Sequence, residues 1–200
     1  MGKSKYNPDI HHRRSVRLSQ FDYSSEGGYF VTICTHDKQC SFGEIRNEAM
    51  ILSRGGEIAK QCWLEVPNYF TGIELDEFVV MPNHFHGIIL IWDQKNTGVG
   101  AQHVAPSNST QSSGGLMNQT PTKKWILTKN SKRTLGKIVR HFKARASKTI
   151  HDAGYREFGW QRSFYEHIIR GEDDLNRIRE YISDNVLKWA YDEENPNKRT

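Results

Sequence analysis

The run Leu75–Met81, Pro82-Asn83, His84–Trp92 constrains this chain more than any other: two apolar, β-rich segments separated only by a turn pair. Pro-Asn favours a turn, so the segments are predicted to be strands of an antiparallel hairpin. Side chains alternate along a strand, which puts His84 and His86 on one face and Phe85 and Gly87 on the other. Two imidazoles side by side on a rigid strand, next to a turn, can hold a metal ion and leave one side of it open to substrate. A lone His-X-His is a two-ligand motif that chance also produces on the wet face of a sheet, so its meaning depends on what else the chain offers.

The other elements can be placed around that hairpin. Tyr29–Thr35 is β-branched and aromatic and reads as a strand. After Phe42-Gly43-Glu44-Ile45, residues Ile58, Cys62, Leu64 and Val66 recur at roughly helical spacing until Pro67. Leu135, Ile138, Val139, Phe142, Ala146 and Ile150 mark one face of a helix over Thr134–Ala153. Trp160–Ile169 reads as a strand, and Glu172 to about Tyr191 as a last helix with acids at its positive dipole end. The order strand, helix, strand, strand, helix, strand, helix predicts an α+β ferredoxin-like sandwich. That is an antiparallel sheet with helices on one face, plus an appended C-terminal helix. No internal repeat is visible. Residues 1–20 read as a basic tail, 21–191 as a single domain with a flexible polar insertion at about 94–124, and 192–200 as a second tail.

Charge and cysteine usage narrow the function. A net charge of +5 and a pI near 9.1 point to a polyanionic partner. Cys34, Cys40 and Cys62 have no metal or redox spacing, and with no signal peptide visible a reduced, cytosolic protein is expected. No apolar run is long enough to span a bilayer, and no phosphate loop ending in Lys-Ser or Lys-Thr occurs.

Two further constellations bear on chemistry. Tyr181 and Asn185, four residues apart, share a face of the last helix, while Ile178 and Ile182 form a stripe that can dock it on the sheet. A phenol and a carboxamide brought to His84 and His86 would make a phosphoryl-transfer centre: metal on His84, His86 and the Asn185 oxygen, Tyr181 as nucleophile. Tyr-X-X-X-Asn alone better describes a half-buried aromatic anchor on an amphipathic helix. The stretch Lys129–Lys148 holds eight Lys or Arg and no acid, and Arg13, Arg14 and Arg17 form a second basic patch. Lys132, Arg133, Lys137, Arg140, Lys143, Arg145 and Lys148 are thus candidate phosphate contacts, against the alternative of a merely solvated helix face.

Taken together, these motifs resemble the single-tyrosine HUH transposases, and among them the REP-associated tyrosine transposases. The resemblance runs through Arg13-Arg14-Ser15-Val16-Arg17-Leu18, Gly28–Thr35, Phe42-Gly43-Glu44-Ile45, Met81–His86, Trp160–Arg170, Tyr181–Asn185 and Trp189. It implies that His84 and His86 bind a divalent metal, Mg²⁺ or Mn²⁺, that Tyr181 is the nucleophile, and that Asn185 stands where relatives place an amide or acidic ligand. It further implies cleavage and rejoining of single-stranded DNA beside a REP-like hairpin through a 5′-phosphotyrosine. The enzyme would act as a monomer or homodimer at the bacterial nucleoid. The family commonly follows the asparagine with proline, and this chain has Val186 instead.

Rival assignments come from the same residues. Tyr165, beside His167, is a competing nucleophile, although a strand would fix it on one sheet face. A DNA-hairpin-binding protein without strand transfer would use the same basic surfaces. A small phosphate-ester hydrolase would need a water-activating base near the histidines, with Asp76 and Glu77 as candidates.

Overall fold

The computed structural model describes residues 21–92 and 133–198. Arg13, Arg14, Arg17, Lys132 and the polar stretch 94–124 lie outside the described residues. The central strand is β1 (Gly27–Cys34), whose Tyr29, Val31 and Ile33 are fully buried. It pairs on one side with β5 (His84–Ile91) and on the other with β6 (Tyr165–Ile169). With β4 (Ile73–Val80) beyond β5, the sheet order is β4-β5-β1-β6 and every pairing is antiparallel. This is the ferredoxin-like arrangement that the element order predicts. The β4–β5 hairpin turns at Pro82-Asn83 and is closed by the Met81 N–H donating to the His84 carbonyl at 2.9 Å.

One hairpin was not foreseen. Strands β2 (Gly43–Arg46) and β3 (Ala49–Leu52) pair with each other outside the main sheet. Their turn residues Asn47 and Glu48 both have positive φ, 52° and 59°. Such a turn usually announces itself as Asn-Gly, and glutamate in the second place hides the signal.

Helices α1 (Arg54–Leu64) and α2 (Leu135–Asp152) cover one face of the sheet. Each starts at a hydroxyl cap: Ser53 accepts from the Gly56 N–H at 3.2 Å, and Thr134 from the Lys137 N–H at 3.3 Å. All six apolar positions expected of α2 are buried, packed with Trp63 of α1 and with Tyr29, Val31, Ile33, Phe85 and Ile89 of the sheet. Gly87 belongs to this contact. A Cβ at that position would lie 2.5 Å from Cζ2 of Trp63, so the indole fits only against a glycine.

The opposite face carries α3 (Glu172–Asp184). Ile178 and Ile182 dock it on Phe30 and Ile88, with Val79, Leu90, Ile169 and Leu175 at the margin. Among the described residues the sheet thus has two helices on one face and one on the other. The last helix is shorter than expected: it ends at Asp184, continues in tight turns, and makes a 3-10 turn over Trp189–Tyr191. The strand expected from Trp160 starts only at Tyr165, because Trp160 forms a single bridge with Thr35 before the chain bends. Cys34, Cys40 and Cys62 are all free thiols. No helix among the described residues is long and apolar enough to cross a membrane.

Gly87→Ala should lower stability by about 1–3 kcal/mol through overpacking against Trp63. Urea denaturation measures this, and an unchanged midpoint would show that the indole can move aside.

Candidate functional site

The histidine pair is oriented by a buried amide. Asn83 is fully buried, and its Nδ2 donates to the Lys38 carbonyl (3.1 Å) and the Glu194 carbonyl (2.6 Å). Its Oδ1 therefore faces Nδ1 of His84 at 2.9 Å, and an amide oxygen can only accept. His84 must carry its proton on Nδ1, which leaves Nε2 bare. On its own side His86 has Nδ1 at 2.9 Å from the Thr32 hydroxyl, which can accept a proton on Nδ1 but, unlike an amide oxygen, can also donate. The two Nε2 atoms then face each other at 3.0 Å. Burial holds the His84 pKa down at about 4 and, together with its neighbour His84, holds His86 well below the usual value. Two neutral imidazoles with their free nitrogens converging suit a shared cation, and hydrogen bonds at the far ring nitrogens commonly orient metal-binding histidines.

Oxygen donors complete the cluster. Asn185 is buried with its Oδ1 lacking any hydrogen-bond partner, as expected of a carbonyl kept for a ligand. Asp192 is a further oxygen donor that no motif in the sequence singles out. His84, His86 and Asp192 place one ligand atom each within 4.8 Å of one another, a set able to hold a divalent cation. Burial, chiefly, raises the Asp192 pKa. Asp192 reaches the site because the chain turns after Asn185 and returns across the histidines. Its neighbours are clasped to the loop after β1: Lys38 pairs with the Glu194 carboxylate at 3.2 Å and donates to the Glu193 carbonyl at 3.1 Å. Nothing local in Asp192-Glu193-Glu194 marks this, since three acids after a helix read as a solvated tail.

Tyr181 lies where the candidate nucleophile was expected. Its hydroxyl is 3.4 Å from Nε2 of His86, its ring packs edge-on to Phe30, and the side chain is 44% exposed. Burial and the nearby Asp192 raise its pKa, while Asn185 opposes them. Two anchors hold α3 in this position. Arg179, two residues before the tyrosine, forks onto Asp76 of β4 at 2.8 and 2.6 Å. Asp76 sits in the one register shift of the β4–β5 pairing, between Leu75 and Phe78; such bulges re-aim side chains. Asp174, in the first turn of α3, accepts from the Arg170 N–H and engages His167 of β6 and Arg177. Those contacts hold its carboxyl well below the usual range. Asp76 is thus occupied as an anchor, which removes it as a water-activating base. Glu77 is exposed and lies outside the donor cluster.

The rival Tyr165 is not remote. It pairs in register with Thr32 and lines the same cavity as Tyr181, His86 and Asn185, of about 570 Å³. The basic residues of α2 lie elsewhere, on the helix that covers the other sheet face. Several are engaged there: Lys143 donates to the Gln161, Arg162 and Ser163 carbonyls, Arg145 pairs with Glu65 over the Tyr69 ring, and Lys148 pairs with Asp152. Arg133 donates to the Thr71 and Trp92 carbonyls. Lys137 and Arg140 are exposed. The cation that does line the cavity is Lys188, which the sequence did not single out.

No family model matches the chain. An uncharacterized protein of Haemophilus influenzae (strain Rd) is 42% identical over 196 residues, spanning 95% of this chain and 97% of that one. Among solved structures, a REP-associated tyrosine transposase bound to a REP hairpin superposes with a TM-score of 0.51 at 16% identity, covering 88% of this chain and 74% of that one. A crystal structure from Deinococcus radiodurans R1 superposes at a TM-score of 0.41 and 14% identity, over 85% and 97% of the two chains.

Calorimetry with Mn²⁺ should detect binding that His84→Ala and His86→Ala abolish and that Asp192→Asn weakens about tenfold or more. Unchanged affinity in Asp192→Asn would remove Asp192 from the ligand set. Without metal, the depressed histidine pKa values make stability depend on acid. The unfolded chain takes up a proton near pH 6.5 and the folded one, at His84, only near pH 4. Stability is therefore full above pH 6.5 and falls towards pH 4, by up to about 1.4 kcal/mol per pH unit for each histidine. His84→Gln should flatten that slope in urea titrations with chelator present.

Proposed function

The chain belongs to one family with the Haemophilus influenzae protein and has the fold of a REP-associated tyrosine transposase, and on that premise we propose that it is a metal-dependent, single-tyrosine DNA transposase. It cleaves and rejoins single-stranded DNA beside a REP-like hairpin. The observation that carries this reading is the convergence of the Tyr181 hydroxyl, at 3.4 Å from His86 Nε2, on a cluster of His84, His86 and Asp192, with Asn185 lining the same cavity.

A free phenol has a pKa near 10, and this one is raised further, so Tyr181 is a weak nucleophile unless its target is activated. A divalent ion at His84, His86, Asn185 and Asp192 would supply that activation by drawing charge from a phosphate oxygen. Tyr181 then attacks phosphorus and loses its proton to solvent, the P–O3′ bond breaks, and the departing 3′ oxygen takes a proton from solvent. The products are a 5′-phosphotyrosine and a free 3′-hydroxyl. Attack by a 3′-hydroxyl on the phosphotyrosine reverses the step and rejoins DNA without a nucleotide cofactor. Nitrogen-rich ligation favours Mn²⁺ over Mg²⁺, so both ions should support activity and Mn²⁺ should bind more tightly.

Tyr181 reaches the histidines of its own chain, which supports a site completed in cis and a monomeric enzyme. The REP hairpin in the fold relative motivates hairpin DNA as partner. For backbone contacts, the exposed Arg140 is favoured over Lys143, Arg145, Lys148 and Arg133, which already have partners, and Lys137 is kept for its exposure. Arg13, Arg14, Arg17 and Lys132 remain in this proposal on their charge alone.

A suicide oligonucleotide carrying a hairpin from the DNA flanking the gene tests the reading. Wild type should form a covalent adduct in the presence of Mn²⁺ or Mg²⁺. Tyr181→Phe should bind the DNA within about twofold and form none, because the ring stays and the nucleophilic oxygen goes. A persistent adduct in Tyr181→Phe would transfer the role to Tyr165. Hairpin binding by wild type without any adduct would instead favour a binding protein that does not cut.

A further inference from the structure

The strand-transfer chemistry leaves Tyr165 without a role, although it lines the same cavity as Tyr181. It stands on the edge strand β6, paired with Thr32, which is itself paired with His86. Adjacent strands are about 4.8 Å apart, so the Tyr165 backbone lies about 10 Å from that of His86, on the same sheet face. Its side chain is 58% exposed. Among the described residues, Tyr165 packs against no other ring and its hydroxyl has no hydrogen-bond partner. Tyr191, 65% exposed, lines the same cavity.

Charge narrows what this part of the cavity can take. Asp192, Glu193 and Glu194 contribute to the lining, and the one lining cation among the described residues, Lys188, is paired with Asp184 at 2.9 Å. Glu194 is paired with Lys38 and Glu193 with Lys198, so among the described residues no lining cation is left to neutralise a second phosphate beside Asp192. At about 570 Å³ the space is well beyond what the attacked phosphate fills, and it falls in the size range of small-molecule sites. A neutral, planar group beside open aromatic rings satisfies both constraints. A tyrosine on a strand is also a stiff platform, with little side-chain freedom to lose on contact.

We infer that Tyr165 forms a base-stacking subsite: an unpaired nucleobase flanking the phosphate attacked by Tyr181 lies on the Tyr165 ring, with Tyr191 lining the same subsite. This inference rests on the strand-transfer reading for its ligand. Stacking tolerates any base, so the subsite governs how tightly the strand is held and not which sequence is chosen.

Fluorescence anisotropy with a short labelled single-stranded DNA of mixed sequence tests it, alongside the same strand carrying abasic residues. Tyr165→Ala should bind the intact strand roughly ten- to a hundred-fold more weakly, and Tyr165→Phe within about twofold of wild type. Abasic substitution should cost wild type a similar factor and cost Tyr165→Ala almost nothing. Wild-type affinity in Tyr165→Ala, equal binding of abasic and intact strands by wild type, or a Tyr165→Phe as weak as Tyr165→Ala would each overturn the subsite; the last would assign the effect to the hydroxyl. The adduct assay separates the two claims. Adduct formation by wild type with unaltered binding in Tyr165→Ala defeats the subsite alone, while a base-dependent loss in Tyr165→Ala with no adduct defeats the strand-transfer reading alone.

Discussion

The orientation of one buried side-chain amide underlies the rest of the site. With Nδ2 of Asn83 committed to two backbone carbonyls, its oxygen can only accept the Nδ1 proton of His84. That single hydrogen bond sets the tautomer that frees His84 Nε2 to face His86. The same amide ties down the returning C-terminal segment through the Glu194 carbonyl, so the element that orients His84 also delivers Asp192. A fully buried asparagine at a hairpin turn is costly unless every polar atom is used, and each atom of this one is used.

The division of the sheet into two faces explains how one domain combines a rigid frame with an open site. The face under α1 and α2 is a continuous apolar core. The other face is apolar only where Ile178 and Ile182 of α3 meet Phe30 and Ile88, and it becomes polar towards His84 and His86. There α3 has too little apolar contact to fix its register by packing alone. The Arg179–Asp76 fork and the Asp174 contacts supply the missing specificity; the first depends on a strand distant in sequence and the second on β6, which directly precedes α3.

Much of the frame was legible beforehand because it depends on periodicity. The six buried positions of α2 follow a helical period, and the alternation along β5 puts His84 and His86 on one face without any tertiary information. Where local signals were weak, the reading fell short. The β2–β3 hairpin turns on Asn-Glu instead of Asn-Gly, and α3 stops at Asp184 although its polar pattern continues. The basic run of α2 read as one uniform surface, yet Glu65 and several carbonyls, all distant in the chain, and Asp152, one helical turn from Lys148, occupy much of it.

By itself the sequence determined the element order, the shared face of His84 and His86, and the spacing that sets Tyr181 and Asn185 one turn apart. These follow from the repeats of strand and helix, which are local. Only the tertiary structure decided that Asp192 joins the histidines, that Asp76 is an anchor, and that Tyr165 opens onto the same cavity as Tyr181. Each of these depends on where a turn or a bulge aims the backbone, a choice made by contacts between segments far apart in the chain.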